Sequence, residues 1–168
     1  MKSDDPRLEA NLKTMEERAA KFNARMLAVM KGHMIIEQAM DGFLDASLFH
    51  ADQLRGAKFT FNHKAQLCRA LSLNEDKDKS WAVLRAINRL RNQIAHDLDD
   101  EKIGEKMEEV RKTYLALLTK RQAEGFAESP DHEIAQSACM HCAGFIATLT
   151  GEATARRAVI DKNWKPGT

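Results

Sequence analysis

An arginine and a histidine lie close together in RLRNQIAHDL, residues 89–98, a stretch that otherwise has the apolar spacing of a buried helix. A guanidinium can hold two oxygens of an anion at once, and an imidazole can accept or donate a proton near neutral pH. Arg91 and His96 are therefore side chains of the types that chemistry at an oxyanion requires. The helix that carries them must position both groups without leaving a charge buried alone.

Helical spacing places Arg91 at the edge of the core. At about 100° per residue, one apolar stripe of this helix consists of Val83, Ile87, Leu90 and Ile94. Arg91 lies beside that stripe, where an unpaired guanidinium would cost on the order of several kcal/mol. It must therefore meet a carboxylate or line a wet cleft. Glu37 and Asp41, two charges on the apolar face of an earlier helix, are the expected partners of Arg91.

His96 is predicted to lie on a different face of the same helix. It follows Arg91 by five residues, which corresponds to a rotation of about 140°. The other polar residues on its face are Arg85, Arg89 and Asn92. Arg91 and His96 can act together if the helix ends or distorts near His96, or if a second chain brings its own Arg91 and His96 across a groove. Both conditions can also hold at once. Asp97 and Asp99 favour a helix end at that point.

Composition predicts an all-α fold. The chain of 168 residues has 3 prolines, 8 glycines and 6% aromatic residues, and it is rich in strong helix formers. The 26 Lys and Arg nearly balance the 25 Asp and Glu, so any contact with nucleic acid must be local. Three cysteines, with no apolar leader and no apolar run near 18 residues, predict a cytoplasmic protein without a membrane span.

We expect residues 1–168 to form one domain, an up-and-down helical bundle with a long first helix. Apolar residues alternately four and three apart predict that helix, and they are Leu8, Leu12, Met15, Ala19, Phe22, Met26 and Val29. This stripe suits either the protein's own core or a dimer seam. Gly32 is expected to bend or break the helix.

Later boundaries are predicted from capping residues. Asn62 is expected to cap a short helix, and Asp99 is expected to cap a long helix over about residues 100–122. Gly125 is expected to stop that long helix. Additional C-terminal helices are expected over about residues 130–163.

The stretch CMHC, residues 139–142, has the spacing of a metal or redox motif. It contains His141, but the chain has no second ligand pair at a suitable spacing for zinc. We interpret Cys139 and Cys142 as buried helical thiols, with a redox or metal role as the alternative. The prediction is therefore no metal and no cofactor.

The stretch RLRNQIAH resembles the R-N-x-x-x-H motif of the HEPN superfamily, whose members are all-helical domains of prokaryotic toxin-antitoxin, abortive-infection and CRISPR-associated ribonucleases. Together with GHMIIEQAM, the stretch LRAINRLRN is also similar to the mannitol operon repressor group, which shares that fold. The resemblance is specific over the motif and loose over about residues 20–125, the expected HEPN-like core.

The resemblance implies a homodimer in which two such motifs line one cleft and cleave RNA without a metal ion. His96 would transfer protons during attack of a ribose 2′-OH on the neighbouring phosphodiester, and Arg91 would hold and stabilise the phosphate. Asn92 would orient the imidazole or bind a phosphate oxygen. Arg85 and Arg89 would extend the positive face along the RNA backbone. A neutralising antitoxin or a regulatory protein is the further partner that this family implies.

Two alternatives remain open from the sequence. The repressor-like relatives imply a non-catalytic regulatory module that binds a protein partner or nucleic acid. Ala86 and Ile87 favour it, because they occupy positions where catalytic members often carry other polar residues. A purely structural alternative locks Arg91 to Glu37 and places His96 against the negative end of the helix dipole.

Overall fold

The structure, a computed structural model, describes residues 6–20, 23–54, 56–73 and 79–164. Across these ranges it contains seven α-helices and no strand, which confirms the all-α prediction. They are α1 Pro6–Ala20, α2 Ala24–Ser47, α3 Phe61–Leu71, α4 Ser80–His96, α5 Asp100–Leu115, α6 Lys120–Phe126 and α7 Asp131–Asn163, with a 3₁₀ turn at Ala51–Leu54 between α2 and α3. None of the described helices is long and apolar enough to cross a membrane.

The core lies between α2, α4, α5 and α7. The most extensive contact joins α2 to α7, while α4 packs against each of the other three and α3 packs across α2. The largest fully buried side chains include Met26, Ile36, Met40, Phe43, Leu84, Ile87, Leu90, Ile103, Met107, Ile134 and Ile146. Removal of these apolar groups from water is the main force that holds the helices together.

The long first helix predicted from the sequence is two helices. Asn23 stands between α1 and α2, and its side chain accepts a hydrogen bond of 3.1 Å from the backbone N–H of Met26. An Asn side chain that binds this free N–H favours a new helix start over a continuous helix. The prediction of one continuous helix was therefore wrong.

The predicted apolar stripe also divides at this point. Met26 and Val29 on α2 are fully buried in the bundle core, whereas Leu12 and Met15 on α1 are exposed. Among the described side chains of the stripe, Met26 and Val29 on α2 pack in the protein's own core, and Leu12 and Met15 on α1 do not. Phe22 and the side chains of Leu8 and Ala19 lie outside the described residues.

A bend or a break was expected at Gly32, and the structure has no break there, because Gly32 lies inside α2 and does not end it. A Cβ atom added to Gly32 would lie 2.4 Å from Sγ and 2.5 Å from Cβ of Cys139 on α7. The missing side chain therefore permits the close approach of the two longest helices. Packing outweighs the penalty of about 1 kcal/mol for a glycine within a helix.

The thiols of the C-x-x-C stretch are buried helical side chains, as predicted. Cys139 and Cys142 are at most 1% exposed on α7, and burial raises the pKa of the Cys139 thiol to about 12. That thiol stays protonated at neutral pH and is a poor nucleophile. His141 points instead to Ser80, with 3.1 Å between Nε2 and Oγ. Among the described residues, no group of three or more His, Cys, Asp or Glu side chains is placed to hold a metal ion.

The predicted caps are confirmed for α5 but not for α3. Asp99 caps α5 and accepts a hydrogen bond of 3.0 Å from the backbone N–H of Glu101. Thr60 rather than Asn62 caps α3. Its Oγ1 accepts from the backbone N–H of His63 at 3.3 Å, and Nδ1 of His63 accepts from the backbone N–H of Thr60 at 3.4 Å. This reciprocal pair is a capping box, and it moves the helix start back to Phe61.

The helix predicted over residues 100–122 is also divided. α5 ends at Leu115, and Thr119 caps the short α6, with its Oγ1 accepting from the backbone N–H of Gln122 at 3.4 Å. Gly125 lies inside α6, one residue before its end, rather than stopping the helix itself. The C-terminal region forms the single helix α7 and contributes directly to the core.

Candidate anion-binding cleft

A cleft of about 480 Å³ opens between α2, α4 and the start of α3. Its lining residues are His33, Glu37, Phe59, Thr60, Phe61, Asn62, Asn88, Arg91 and Asn92. The structure thus brings together Arg91, Asn92 and Glu37 of the predicted site residues. It does not bring Asp41, Arg85, Arg89 or His96 into the cleft lining.

Arg91 is half-buried in the cleft wall and only partly satisfied by hydrogen bonds. Its Nη1 donates to Oδ1 of Asn92 at 3.3 Å, while its buried Nε has no hydrogen-bond partner within the part of the chain that the structure describes. No carboxylate of the described residues forms an ion pair with it. From the sequence, Arg91 was expected either to meet a carboxylate or to line a wet cleft. In the structure it lines a cleft. A guanidinium in this environment can bind an anion through two of its oxygens.

Glu37 and Asp41 do not pair with Arg91, so that expectation was wrong. Both carboxylates bind Lys64 on α3, whose Nζ lies 3.0 Å from Oε1 of Glu37 and 2.8 Å from Oδ1 of Asp41. Burial lowers the pKa of Lys64, but the hydrogen bonds to Asp41 and Glu37 outweigh it and leave that pKa raised. Lys64 is shared by two carboxylates and therefore offsets only part of the charge of Glu37, the carboxylate that lines the cleft with Arg91. Arg91 forms no ion pair with a carboxylate of the described residues and keeps its positive charge in the cleft wall.

His33 is a cleft residue that the sequence did not single out. It is 5% exposed, its ring stacks on Phe61 with centroids 4.1 Å apart, and its Nε2 lies 3.3 Å from Oδ1 of Asn88. Burial lowers the pKa of His33, with a further contribution from Arg91, so the neutral imidazole is favoured at neutral pH. As the donor to Oδ1, it orients the amide of Asn88. The sequence feature that could have identified His33 as a cleft residue is its position four residues before Glu37, which places both on one helix face.

His96 lies outside this cleft in a single chain. It is the exposed last residue of α4, and the backbone N–H of Asp97 closes the helix with a hydrogen bond of 2.9 Å to the carbonyl of Gln93. The helix end predicted at His96 is thus confirmed. Arg91 and His96 do not meet within one chain, because the helix stays regular between them.

The two other predicted arginines contribute unequally to the surface near the cleft. Arg85 is exposed on α4. Arg89 forms a bidentate ion pair with Glu109 on α5, in which its Nε donates to Oε2 at 3.1 Å. The positive face predicted from these residues is therefore partly neutralised within the chain itself.

The arrangement can bind an anion through Arg91, the amides of Asn88 and Asn92, and the N-terminal turn of α3. The first backbone N–H groups of α3 have no acceptor within that helix and add to the positive potential. Comparison of the chain with known protein families, with curated proteins and with solved structures yields no match in any of the three.

Proposed function

We propose that the protein binds RNA at the Arg91 cleft and cleaves it without a metal ion, as an endoribonuclease whose site is shared across a homodimer. One observation supports the binding step. Arg91 offers a half-satisfied guanidinium in an open cleft, while Lys64 occupies the carboxylate of Glu37. A phosphodiester carries two oxygens in the geometry that a guanidinium binds in a bidentate manner.

The proposed cleavage needs one proton acceptor and one proton donor. A neutral imidazole takes the proton of the ribose 2′-OH, the 2′-oxygen attacks the adjacent phosphorus, and the bond from phosphorus to the 5′-oxygen breaks. A protonated imidazole gives its proton to the departing 5′-oxygen. The products are a 2′,3′-cyclic phosphate and a 5′-hydroxyl. His96 and His96 of the partner subunit fill these two roles, and Arg91 stabilises the charge on the phosphoryl oxygens.

A non-catalytic regulatory module is the second candidate function. It is favoured by the position of His96, which lies exposed at the end of α4 and outside the cleft of its own chain. In this case the cleft binds nucleic acid or an acidic protein partner through Arg91, and no bond is broken.

Cleavage in EDTA tests the proposal. Purified wild-type protein, His96→Ala and Arg91→Gln are incubated with total RNA, and new ends are mapped for 2′,3′-cyclic phosphate and 5′-hydroxyl. His50→Ala and Arg121→Gln are matched controls, because they remove an exposed histidine and an exposed arginine away from the cleft. Binding of a labelled RNA is measured in parallel with the same five proteins.

The proposal expects cleavage by the wild type and the two controls, and none by the two site variants. Binding should require Arg91 but not His96. RNA binding that needs Arg91, without new ends in any sample, would favour the regulatory candidate. Binding and cleavage that are both unaffected by Arg91→Gln would contradict the assignment of the cleft.

A further inference from the structure

The walls of the Arg91 cleft differ in chemistry. The wall from α4 presents the guanidinium of Arg91 and the side-chain amide of Asn92. The wall from α2 and the segment before α3 presents the carboxylate of Glu37 and the aromatic ring of Phe59. A ligand that fits both walls has an anionic end and an aromatic, hydrogen-bonding end.

The cleft is larger than a phosphate group alone requires. Its volume of about 480 Å³ falls in the range of about 300–1,000 Å³ that small-molecule sites occupy. Phe59 is half-buried in its wall and meets His63 edge-on, with centroids 6.5 Å apart and an interplanar angle of 83°. Aromatic rings at such sites stack with unpaired nucleobases.

Glu37 makes the cleft favour some nucleobases over others. Its Oε1 is held by Lys64, and the second oxygen of the carboxylate can still accept a hydrogen bond. A carboxylate accepts from the exocyclic amino groups of adenine, cytosine and guanine, whereas uracil has no such group and its N3–H lies between two carbonyl oxygens that repel the carboxylate. The same carboxylate repels a phosphate, which therefore settles at the Arg91 end.

We propose, building on the proposed function, that the cleft binds one unpaired nucleotide whose base carries an amino group. The phosphate lies on Arg91, the base stacks against Phe59, and the amino group donates to Glu37. A base within a duplex cannot enter, because its ring faces are stacked and its pairing edge is occupied.

Fluorescence anisotropy with short labelled strands tests this proposal at one fixed salt concentration, because affinity for nucleic acid depends on salt. The probes are oligoadenylate, oligocytidylate, oligouridylate and a duplex of the same length. We expect oligoadenylate and oligocytidylate to bind about tenfold more tightly than oligouridylate or the duplex, a contrast typical of one base contact. Glu37→Met should remove the difference between the single strands.

Phe59→Leu should weaken binding of the amino-bearing strands about tenfold, as expected for loss of one stacked base. Phe49→Leu is the matched control, because Phe49 is an exposed aromatic residue that does not line the cleft. Thermal unfolding of each variant shows that the chain is folded. These binding measurements do not require any cleavage.

Two outcomes would overturn the inference in a protein whose RNA binding is abolished by Arg91→Gln. They are equal affinity for the three single strands and wild-type affinity in Phe59→Leu. In that case the proposed RNA site would stand without the base subsite. Wild-type affinity in Arg91→Gln would overturn the proposed function and, with it, the base subsite.

Discussion

Replacing Lys64 with methionine should weaken RNA binding, although Lys64 is not in the lining of the Arg91 cleft. Its ammonium lies 3.0 Å from a Glu37 oxygen and 2.8 Å from an Asp41 oxygen, and its side chain is 15% exposed. Methionine keeps much of the apolar stem and removes the charge. Glu37 then presents an uncompensated carboxylate to the cleft, where it competes with a phosphate for Arg91.

The expected loss of stability is small for a partly buried ion pair. Breaking a fully buried pair costs about 3–5 kcal/mol. Here the side chains of Glu37 and Asp41 are 36% and 52% exposed, so water screens most of that penalty. Lys64 forms two such pairs, and an exposed pair contributes up to about 1 kcal/mol, so we expect a loss of about 1–2 kcal/mol. In a chain of this size, this corresponds to a decrease in Tm of about 2–8 °C.

The expected loss of RNA affinity follows from Coulomb's law. One added negative charge, about 10 Å across the cleft from a phosphate, costs about 1.7 kcal/mol at an effective dielectric constant of about 20. That free energy corresponds to a tenfold or slightly larger increase in Kd. The effect should decrease with salt, because the charges are only partly buried.

A double-mutant cycle separates this mechanism from a general loss of positive charge. Anisotropy is measured for the wild type, Lys64→Met, Glu37→Met and the double variant, with Lys102→Met as a control for loss of a lysine that is paired elsewhere. Lys64→Met should weaken binding of oligouridylate about tenfold, and the double variant, whose local net charge equals that of the wild type, should bind it with close to wild-type affinity. A double variant that binds as weakly as Lys64→Met would refute the role of Glu37.

Three further predictions concern stability. Gly32→Ala should lower the free energy of unfolding by about 1–3 kcal/mol, because the new Cβ overlaps Cys139. Gly42→Ala is the control in the same denaturant titration and should cause no loss, because its Cβ would meet nothing within 4 Å. Arg91→Met should change the free energy of unfolding by less than about 0.5 kcal/mol, since no described carboxylate is paired with Arg91. A decrease as large as that of Lys64→Met would contradict the placement of Arg91 in an open cleft without an ion-pair partner. The pKa of His33 is lowered from its ordinary value of 6.5, mainly by burial, so the unfolded chain binds a proton more readily than the folded one. Stability should therefore be fully present above pH 6.5 and decrease as the pH falls below that value, and His33→Gln should reduce this slope; an unchanged slope would show that other groups cause it.

The sequence alone determined the features that depend on near neighbours along the chain. The all-α composition, the cap of Asp99 on α5 and the end of α4 at His96 are local properties, since each rests on propensities or hydrogen bonds within a few residues. The inward stripe of α4 and the placement of Arg91 beside it follow in the same way from helical periodicity. Burial of the Cys139 and Cys142 thiols was also predictable from residue type.

Only the tertiary structure decided which charges meet. Glu37 and Arg91 carry opposite charges on two helices, and their residue types predicted an ion pair. In the structure α3 packs across α2, and Lys64 of α3 pairs with Glu37 instead. His33 enters the cleft for a similar reason, because the packing of α2 against α4 places it beside Asn88. Ion pairs and cleft walls depend on distances between residues far apart in sequence. Helical periodicity reports the face on which a side chain lies, but it does not report which residues of other helices pack against that face.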